Sequence, residues 1–463
     1  MLRVSGNLIV DEKGQKIVLK GYNIGNWMML ENFMFGYPGT EEEFRYAVKK
    51  YAGEENYEYF FDRFLSYFFN EKDAAFLKDI GVNCIRIPFN YRHFESDNAP
   101  YRYMESGFKH MDRAIDICKK YGIYVILDLH AVQGHQSTSW HCDNNNLMPA
   151  EFFTNEDHRQ RFIKLWVHIA KRYKDEDIIA GYDLINEPDA IDSVTGGTAV
   201  KILNQVYKDA TAEIRKVDPD HIIFIAGNNF NNDFDVIEPP FADNLAYTCH
   251  YYLDVCTSTA VPYPGKVAGI FYDRRQVELQ MNARDEYMRK HNVPCWVGEF
   301  GVRLSYPGLT ECRLLAFGDQ LDCICKREHH YSIWNYKDIG FLSTVYVSPE
   351  SPWMRFAKDI IDLKKKYFVD LNFRVNEDWG ISQLLQLKDP NGMNDLYGAL
   401  KEEIAVAMKS KIASALADRL GKKFAGLSRK ELDELASSFD FDNCVIDEKR
   451  LKVIKKFGCL EVE

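Results

Sequence analysis

Two glutamates stand out: Glu187 in Leu184-Ile-Asn-Glu-Pro188 and Glu299 in Trp296-Val-Gly-Glu-Phe-Gly301. They lie 112 positions apart, so only a fold brings them together. Two carboxyl groups held about 5–5.5 Å apart cleave a glycosidic bond with retention. One is protonated and donates to the leaving oxygen; the other is ionised and attacks the anomeric carbon. Such a pair needs surroundings that push its two pKa values apart. Arg86 is the cation expected beneath Glu299, where it would keep that carboxylate anionic. A structural ion pair for Arg86 is compatible with that placement. Glu187 has no obvious adjacent cation and is expected to hold its proton at neutral pH.

Strands must deliver these groups. Eight runs have strand character: Ile17–Asn23, Val82–Pro88, Ile123–His130, Ile179–Asn186, His221–Ala226, Leu245–Tyr252, Pro294–Phe300 and Tyr331–Tyr336. The segments between them repeat apolar residues about a turn apart, as do Phe108, Met111 and Ile115 in Met104–Tyr121, or Phe162, Leu165, Trp166 and Ile169 in Asp157–Tyr173. Ala199–Val217, Asp273–His291, Glu311–Arg327 and Pro352–Tyr367 follow the same pattern. Alternating strands and helices mean βαβ units and a parallel sheet, and eight of them suit an α/β fold of the (β/α)8 TIM-barrel class. An open doubly wound sheet is the alternative, but no G-x-G-x-x-G follows the first strand. Leu8–Val10 and Lys16–Leu19 read as an opening β-hairpin that would plug the barrel floor.

In such barrels the chemistry collects at the C-terminal strand ends. The first strand leads to Asn23, Asn26, Trp27 and Glu31, and the second to Arg86 and Asn90. The third and fourth end at His130 and at Asn186-Glu187, the fifth near Asn228-Asn229. The last three deliver His250 and Tyr252, Glu299, and Trp334 with Asn335. Polar groups converging from all eight strands are hard to explain as packing, because burying them unpaired costs free energy.

Composition narrows the classes. The 463 residues are 46% hydrophobic and 27% charged, ordinary globular usage that excludes disorder, collagen and coiled coil for most of the chain. No apolar run of about 18 residues supports a membrane span. Lys+Arg number 58 against 69 Asp+Glu, a net charge of −11, which argues against a protein built to coat nucleic acid or anionic membrane. Aromatics at 14% suit a cleft that stacks flat ligands, and also a large core. The eleven cysteines show neither a disulfide framework nor zinc spacing. Without signal-peptide features at the start, the expectation is a cytoplasmic protein with reduced thiols, although a sequence trimmed of its leader would read the same.

Three segments fall outside the barrel pattern. Residues 369–463 read as a helical C-terminal extension to a catalytic domain of residues 1–368, with Ala399–Leu420 amphipathic and Ser428–Ser437 opening on a capping box. Its helices leave room for an oligomer or an interaction surface. The aromatic stretch Thr40–Phe69 would wall the cleft, form an interface or pack. The loop Ala131–Asn146 hangs over the mouth; Trp140 is a candidate to stack a sugar, while His135, His141 and Cys142 lack the spacing of a usual zinc site.

The motifs Arg86-Ile-Pro88, Asp128-Leu-His130, Asn186-Glu187-Pro188, His250-Tyr-Tyr252, Gly298-Glu299-Phe300-Gly301 and Trp334 together resemble glycoside hydrolase family 5, the cellulase family. Each is weak alone; six in the right order across residues 1–367 are specific. The resemblance implies Glu187 as general acid/base and Glu299 as nucleophile, with no metal and no organic cofactor. It implies that Asn186 bonds the 2-hydroxyl of the sugar, that His130 binds the same sugar and that Trp334 is its stacking platform. Tyr252 would bond the nucleophile and His250 would orient the acid/base. The region Gly21–Glu31 is similar to exo-β-1,3-glucanases of the family, which implies that Glu31 clasps the outer hydroxyls of a non-reducing-end glucose. A salt bridge to a loop residue is the alternative for Glu31, and the loop 131–146 departs from those of typical exo-glucanases. The expected activity is that of a retaining β-glycosidase acting on β-linked glucosides or gluco-oligosaccharides, exo-acting. An endo-β-1,4-glucanase, or a glycosidase for lipid or aryl glycosides, is the alternative. A non-catalytic carbohydrate-binding barrel would need a missing carboxylate, and neither is missing.

Overall fold

A computed structural model of the chain describes residues 1–37, 39–145, 147–191, 197–257, 259–366 and 394–460. Eight parallel strands close into a barrel: β1 Lys20–Asn23, β2 Cys84–Asn90, β3 Tyr124–Ala131, β4 Ile179–Asp183, β5 Ile222–Ala226, β6 Leu245–His250, β7 Cys295–Glu299 and β8 His330–Ile333. They pair in sequence order, and β8 closes on β1 through Tyr331 to Lys20, Ser332 to Gly21 and Ile333 to Tyr22. Every residue of β2 and of β4 to β8 is buried. Helices cover one face and packed side chains the other, so these strands read as apolar runs without alternation.

The opening segment is a three-stranded sheet, because Arg3–Ser5 pairs with Leu8–Val10 beyond the expected hairpin. Leu2 and Ile9 from this sheet join Leu19, Ile126, Ile222, Phe224 and Trp296 in one apolar cluster that seals the barrel floor. The expected helix Asp273–His291 is broken into Arg274–Arg284 and Glu286–His291. At the break Asp285 leaves helical geometry, and its carboxylate is held by Arg289 at 2.7 Å and His329 at 3.0 Å.

The structure has packing for the buried face of Thr40–Phe69, while Arg45, Tyr57 and Phe61 of the same segment also wall a cavity with Arg92 and His110. The segment forms helices Glu41–Ala52, opened by a Thr40/Glu43 capping box, and Glu54–Phe68. Phe60 meets Phe424 at 5.1 Å and Phe64 meets Phe439 edge-on at 5.0 Å, both partners belonging to the C-terminal segment. The helix Asn394–Lys422 approaches Glu41–Ala52 so closely that a Cβ on Gly421 would lie 2.4 Å from that of Ala47. Arg429–Ser437 carries the expected capping box, Ser428 with Glu431. Cys444–Ile446 adds an antiparallel strand to Val345–Val347. The buried Lys337 Nζ ties the layers, bonding Phe68 O at 2.7 Å, Phe439 O at 2.9 Å and Asp73 at 2.6 Å. The expected boundary at 368/369 lies outside the described residues. No described helix is long and apolar enough to cross a membrane.

Candidate active site

The upper layer of the barrel is built around one guanidinium. Arg86 points inward from β2 and is completely buried. It donates to Glu299 Oε1 at 2.9 Å, Asn23 Oδ1 at 3.0 Å, Asp183 Oδ2 at 2.9 Å and Asn186 Oδ1 at 2.8 Å, and lies 3.0 Å from Asp128 Oδ1. A single side chain therefore sets the ends of β1, β3, β4 and β7 relative to β2. Burial pushes Asp128 and Asp183 up to about 7, against the pull of Arg86. Asp183 was not legible as a site residue; its only signal is an acid within an otherwise apolar run.

The two glutamates meet across the mouth. The β6–β7 register shifts between Cys249 and His250, which sets His250 opposite Glu299. Such irregularities re-aim side chains next to functional sites. His250 Nδ1 lies 2.7 Å from Glu187 Oε1 and 3.5 Å from Glu299 Oε2, and Tyr252 donates to Glu299 Oε2 at 3.0 Å. Burial pushes His250 down to about 3, so the ring is neutral and its Nδ1 proton faces the carboxylates. Glu187 sits at φ 43°, a left-handed conformation that an L side chain adopts only when its surroundings impose it, and its N–H donates to Asn231 Oδ1 at 3.0 Å. One oxygen from each glutamate and a His250 nitrogen all lie within 4.8 Å of one another. A cation would accept that spacing, but the Arg86 guanidinium already supplies positive charge to Glu299.

Burial raises both glutamates, Glu299 to about 7. His250 and Arg86 pull Glu299 back down while the charge of Glu187 pushes it up; Arg86 divides its charge among three carboxylates, so its hold on this one is diluted. His141, then Arg86, pull Glu187 back.

Beside the pair lies a second group. His130 bonds Asp128 Oδ2 through Nδ1 at 2.7 Å, and its Nε2 is 3.2 Å from Asn186 Nδ2. Its ring stacks on Trp334, centroids 5.3 Å apart and planes within 10°. Glu31 Oε1 is 3.9 Å from His130 Nε2. Burial, reinforced by the charges of Glu299 and Glu187, raises the Glu31 carboxyl well above its usual range. Gln136 donates to His130 O at 2.6 Å and Asn186 O at 2.8 Å, tying the ends of β3 and β4 together.

Nine of the ten singled-out residues thus converge on one rim. Trp140 is the exception: it is buried against Ile412 and Ala413 of the C-terminal helix, so its ring is spent on packing rather than offered to a sugar. Its neighbour His141, in a loop expected to make lid or substrate contacts rather than to bind metal, faces Glu187 Oε2 with Nδ1 at 3.6 Å.

A closed parallel barrel with two such carboxyl groups at its C-terminal rim defines a glycoside hydrolase, and comparison with known proteins narrows the class. The profile of the cellulase family, glycosyl hydrolase family 5, matches residues 51–340. A β-xylosidase of Phanerodontia chrysosporium is 37% identical, over 96% of this chain and 95% of its own. Endoglucanase C of Acetivibrio thermocellus is 24% identical over 67% of this chain and 95% of its own. A solved glycoside hydrolase shares the fold at TM-score 0.53 and 20% identity, covering 70% of this chain and 90% of the other. The chain belongs to glycosyl hydrolase family 5. It is a retaining β-glycosidase acting on carbohydrate.

Proposed function

We propose that the enzyme removes single β-linked glucose units from the non-reducing ends of glucosides or gluco-oligosaccharides, with Glu299 as nucleophile and Glu187 as acid/base. Glu299 accepts from Arg86 and Tyr252, whereas Glu187 faces two imidazoles, at 2.7 and 3.6 Å. Burial pushes Glu299 up to about 7, but its two direct donors, one of them a guanidinium, both bond its anion, so we read Glu299 as the carboxylate of the pair and Glu187 as the holder of the proton. In the first step Glu299 attacks the anomeric carbon while Glu187 gives its proton to the leaving oxygen. A glycosyl ester on Glu299 results. In the second step Glu187, now a carboxylate, takes a proton from water as that water attacks the same carbon and frees Glu299. Asn186, held by Arg86, meets the sugar 2-hydroxyl, a contact that tightens in the transition state. Trp334 is the stacking surface for this sugar and His130 a polar contact, each steadied by the other's ring.

The observation that carries exo-action is Glu31, a buried carboxyl 3.9 Å from His130 and close enough to feel the charges of Glu299 and Glu187. A carboxyl there accepts from the outer hydroxyls of a terminal sugar and closes the cleft at one end. The C-terminal segment serves as framework for this site, since its described helices bury their apolar faces against the helices of residues 41–68. The test is a product time course on laminari- and cello-oligosaccharides, with Glu299→Gln as the blank and β-xylosides as a parallel arm because of the 37% identical relative. Steady release of glucose alone is expected, and Glu31→Ala should raise KM and shift products away from single-sugar release. A ladder of mid-length products from the wild type would support the endo-β-1,4-glucanase alternative and remove the role given to Glu31. Release of xylose alone would keep the pocket and change the sugar.

A further inference from the structure

Resting on the reading of Glu187 as acid/base, we infer that His141 is a positioning residue for that acid, clasping the Oε2 oxygen while His250 holds Oε1. The loop that carries it is fixed from several sides. Asp143 accepts from Asn90 Nδ2 at 2.9 Å, from the Glu42 N–H at 3.0 Å and from Arg92 Nε at 3.3 Å. The Cys142 thiol lies 3.1 and 3.0 Å from the carbonyls of Ser137 and Ser139. Trp140 turns outward beneath the C-terminal helix, and the next residue, His141, turns inward.

The imidazole of His141 is enclosed, its side chain 12% exposed, with its ring edge against Phe230 at 5.6 Å. Nδ1 is 3.6 Å from Glu187 Oε2. That is longer than a hydrogen bond; contacts of this kind tighten when substrate closes a site. Nε2 is buried with no hydrogen-bond partner among the described residues, and the Glu187 backbone also interacts with the ring, so both acceptors near the imidazole belong to the acid/base residue. Burial pushes His141 down to about 4, which leaves it neutral, with one N–H to give. A neutral donor at Oε2 favours the carboxylate form of Glu187, the form that must activate water in the second step.

Other groups also face Glu187 from the packed elements. Arg86 from β2 favours its charge; Asp128 from β3, Glu299 from β7 and Glu31 from the loop after β1 oppose it. Tyr252 faces Glu299, and His250 is already engaged at Oε1. His141 is the group whose removal changes Oε2 without touching the nucleophile.

The test is the pH profile of kcat/KM, which reports the first step alone, for phenyl β-glucoside and 2,4-dinitrophenyl β-glucoside, with the corresponding β-xylosides if those are the better substrates. Phenyl glycosides need a proton at the leaving oxygen; dinitrophenyl ones do not. Losing the donor raises the pKa of Glu187, so His141→Leu is expected to move the alkaline limb for the phenyl substrate up by about one pH unit. The dinitrophenyl profile should keep its position, and His141→Gln, which restores an N–H, should bring the limb back most of the way. Trp140→Ala, which unseats the loop without altering the imidazole, should move the same limb less far and serves if His141→Leu does not fold. An unmoved limb, or the same displacement with both substrates, overturns the inference. Glu187→Ala is the control: if it costs phenyl and dinitrophenyl substrates equally, the acid/base reading fails; if it discriminates and the limb stays in place, only His141 loses its role.

Discussion

Replacing Arg86 by methionine measures how far one guanidinium holds the upper barrel together. Methionine retains most of the aliphatic stem and removes the charge. Arg86 has five polar partners between 2.8 and 3.0 Å, three of them carboxylates, and is fully buried. Removing one partner of a buried ion pair costs about 3–5 kcal/mol, because the remaining charge is left without compensation. The stranded carboxylates respond by taking up protons. An acid whose folded pKa is raised above its unfolded value binds more protons when folded, so it favours the folded state at low pH and loses that advantage as pH rises through the folded pKa. The wild type already carries this slope, since burial pushes Asp128 and Asp183 up to about 7; its stability falls as pH climbs from about 4 to about 7. In Arg86→Met the slope steepens. Each additional proton the folded variant holds across about 2.5 pH units is worth about 3 kcal/mol. The deficit is therefore about 3–5 kcal/mol near pH 7.5 and shrinks to about 1–2 kcal/mol near pH 5. With an unfolding entropy of about 2.1 cal/mol/K per residue over 463 residues, a cooperative unit loses about 3–5 °C in Tm at the higher pH. Thermal unfolding followed by tryptophan fluorescence at both pH values reads this directly. Equal deficits at the two pH values, or none at the higher one, would refute the argument.

Glu299→Gln is expected to abolish turnover while sugar binding by calorimetry persists; retained turnover would remove the nucleophile. Tyr252→Phe deletes a donor 3.0 Å from Glu299, raising a pKa that burial already pushes to about 7, so the acidic limb of kcat/KM should move up by as much as about one unit. A limb that stays put or moves down would contradict that hydrogen bond. Lys337→Met strands Asp73 and frees two carbonyls, one of them in the C-terminal segment, and should cost about 3–5 kcal/mol in denaturant while exposing that segment to protease. Wild-type resistance in both assays would mean the lock is not used.

The barrel was legible because parallel strands buried on both faces leave long apolar runs such as Ile222–Ala226. The carboxyl pair was legible because each stands in a distinctive local motif at a strand end. What escaped depended on distant partners. Trp140 in a polar loop looks the same whether a sugar or a helix covers it, and the covering residues, Ile412 and Ala413, lie far along the chain. The loop of His141 was legible as lying over the mouth, but that its imidazole turns toward Glu187 depends on the fold and not on the local sequence. The extra strand Arg3–Ser5 did leave a signal, since Gly6-Asn7 is a two-residue hairpin turn with Gly6 at φ 60°. The break at Asp285 is set by Arg289 and His329, one of them on a different element.

The shared core of residues 41–68 and the C-terminal helices has a consequence for synthesis. Arg63 and its carboxylate partner Asp433 are separated by 370 positions, and Phe60 and Phe64 wait for Phe424 and Phe439 over a similar span. At about 5–20 residues per second, a ribosome needs roughly 20–70 s to make the second half of this contact after the first. Throughout that interval the nascent chain carries Phe60 and Phe64 without their later partners. The later helices cover the helices of residues 41–68, so a product truncated or stalled before them would leave a sticky surface exposed, and folding in the cell would depend on something that shields it until those helices are made.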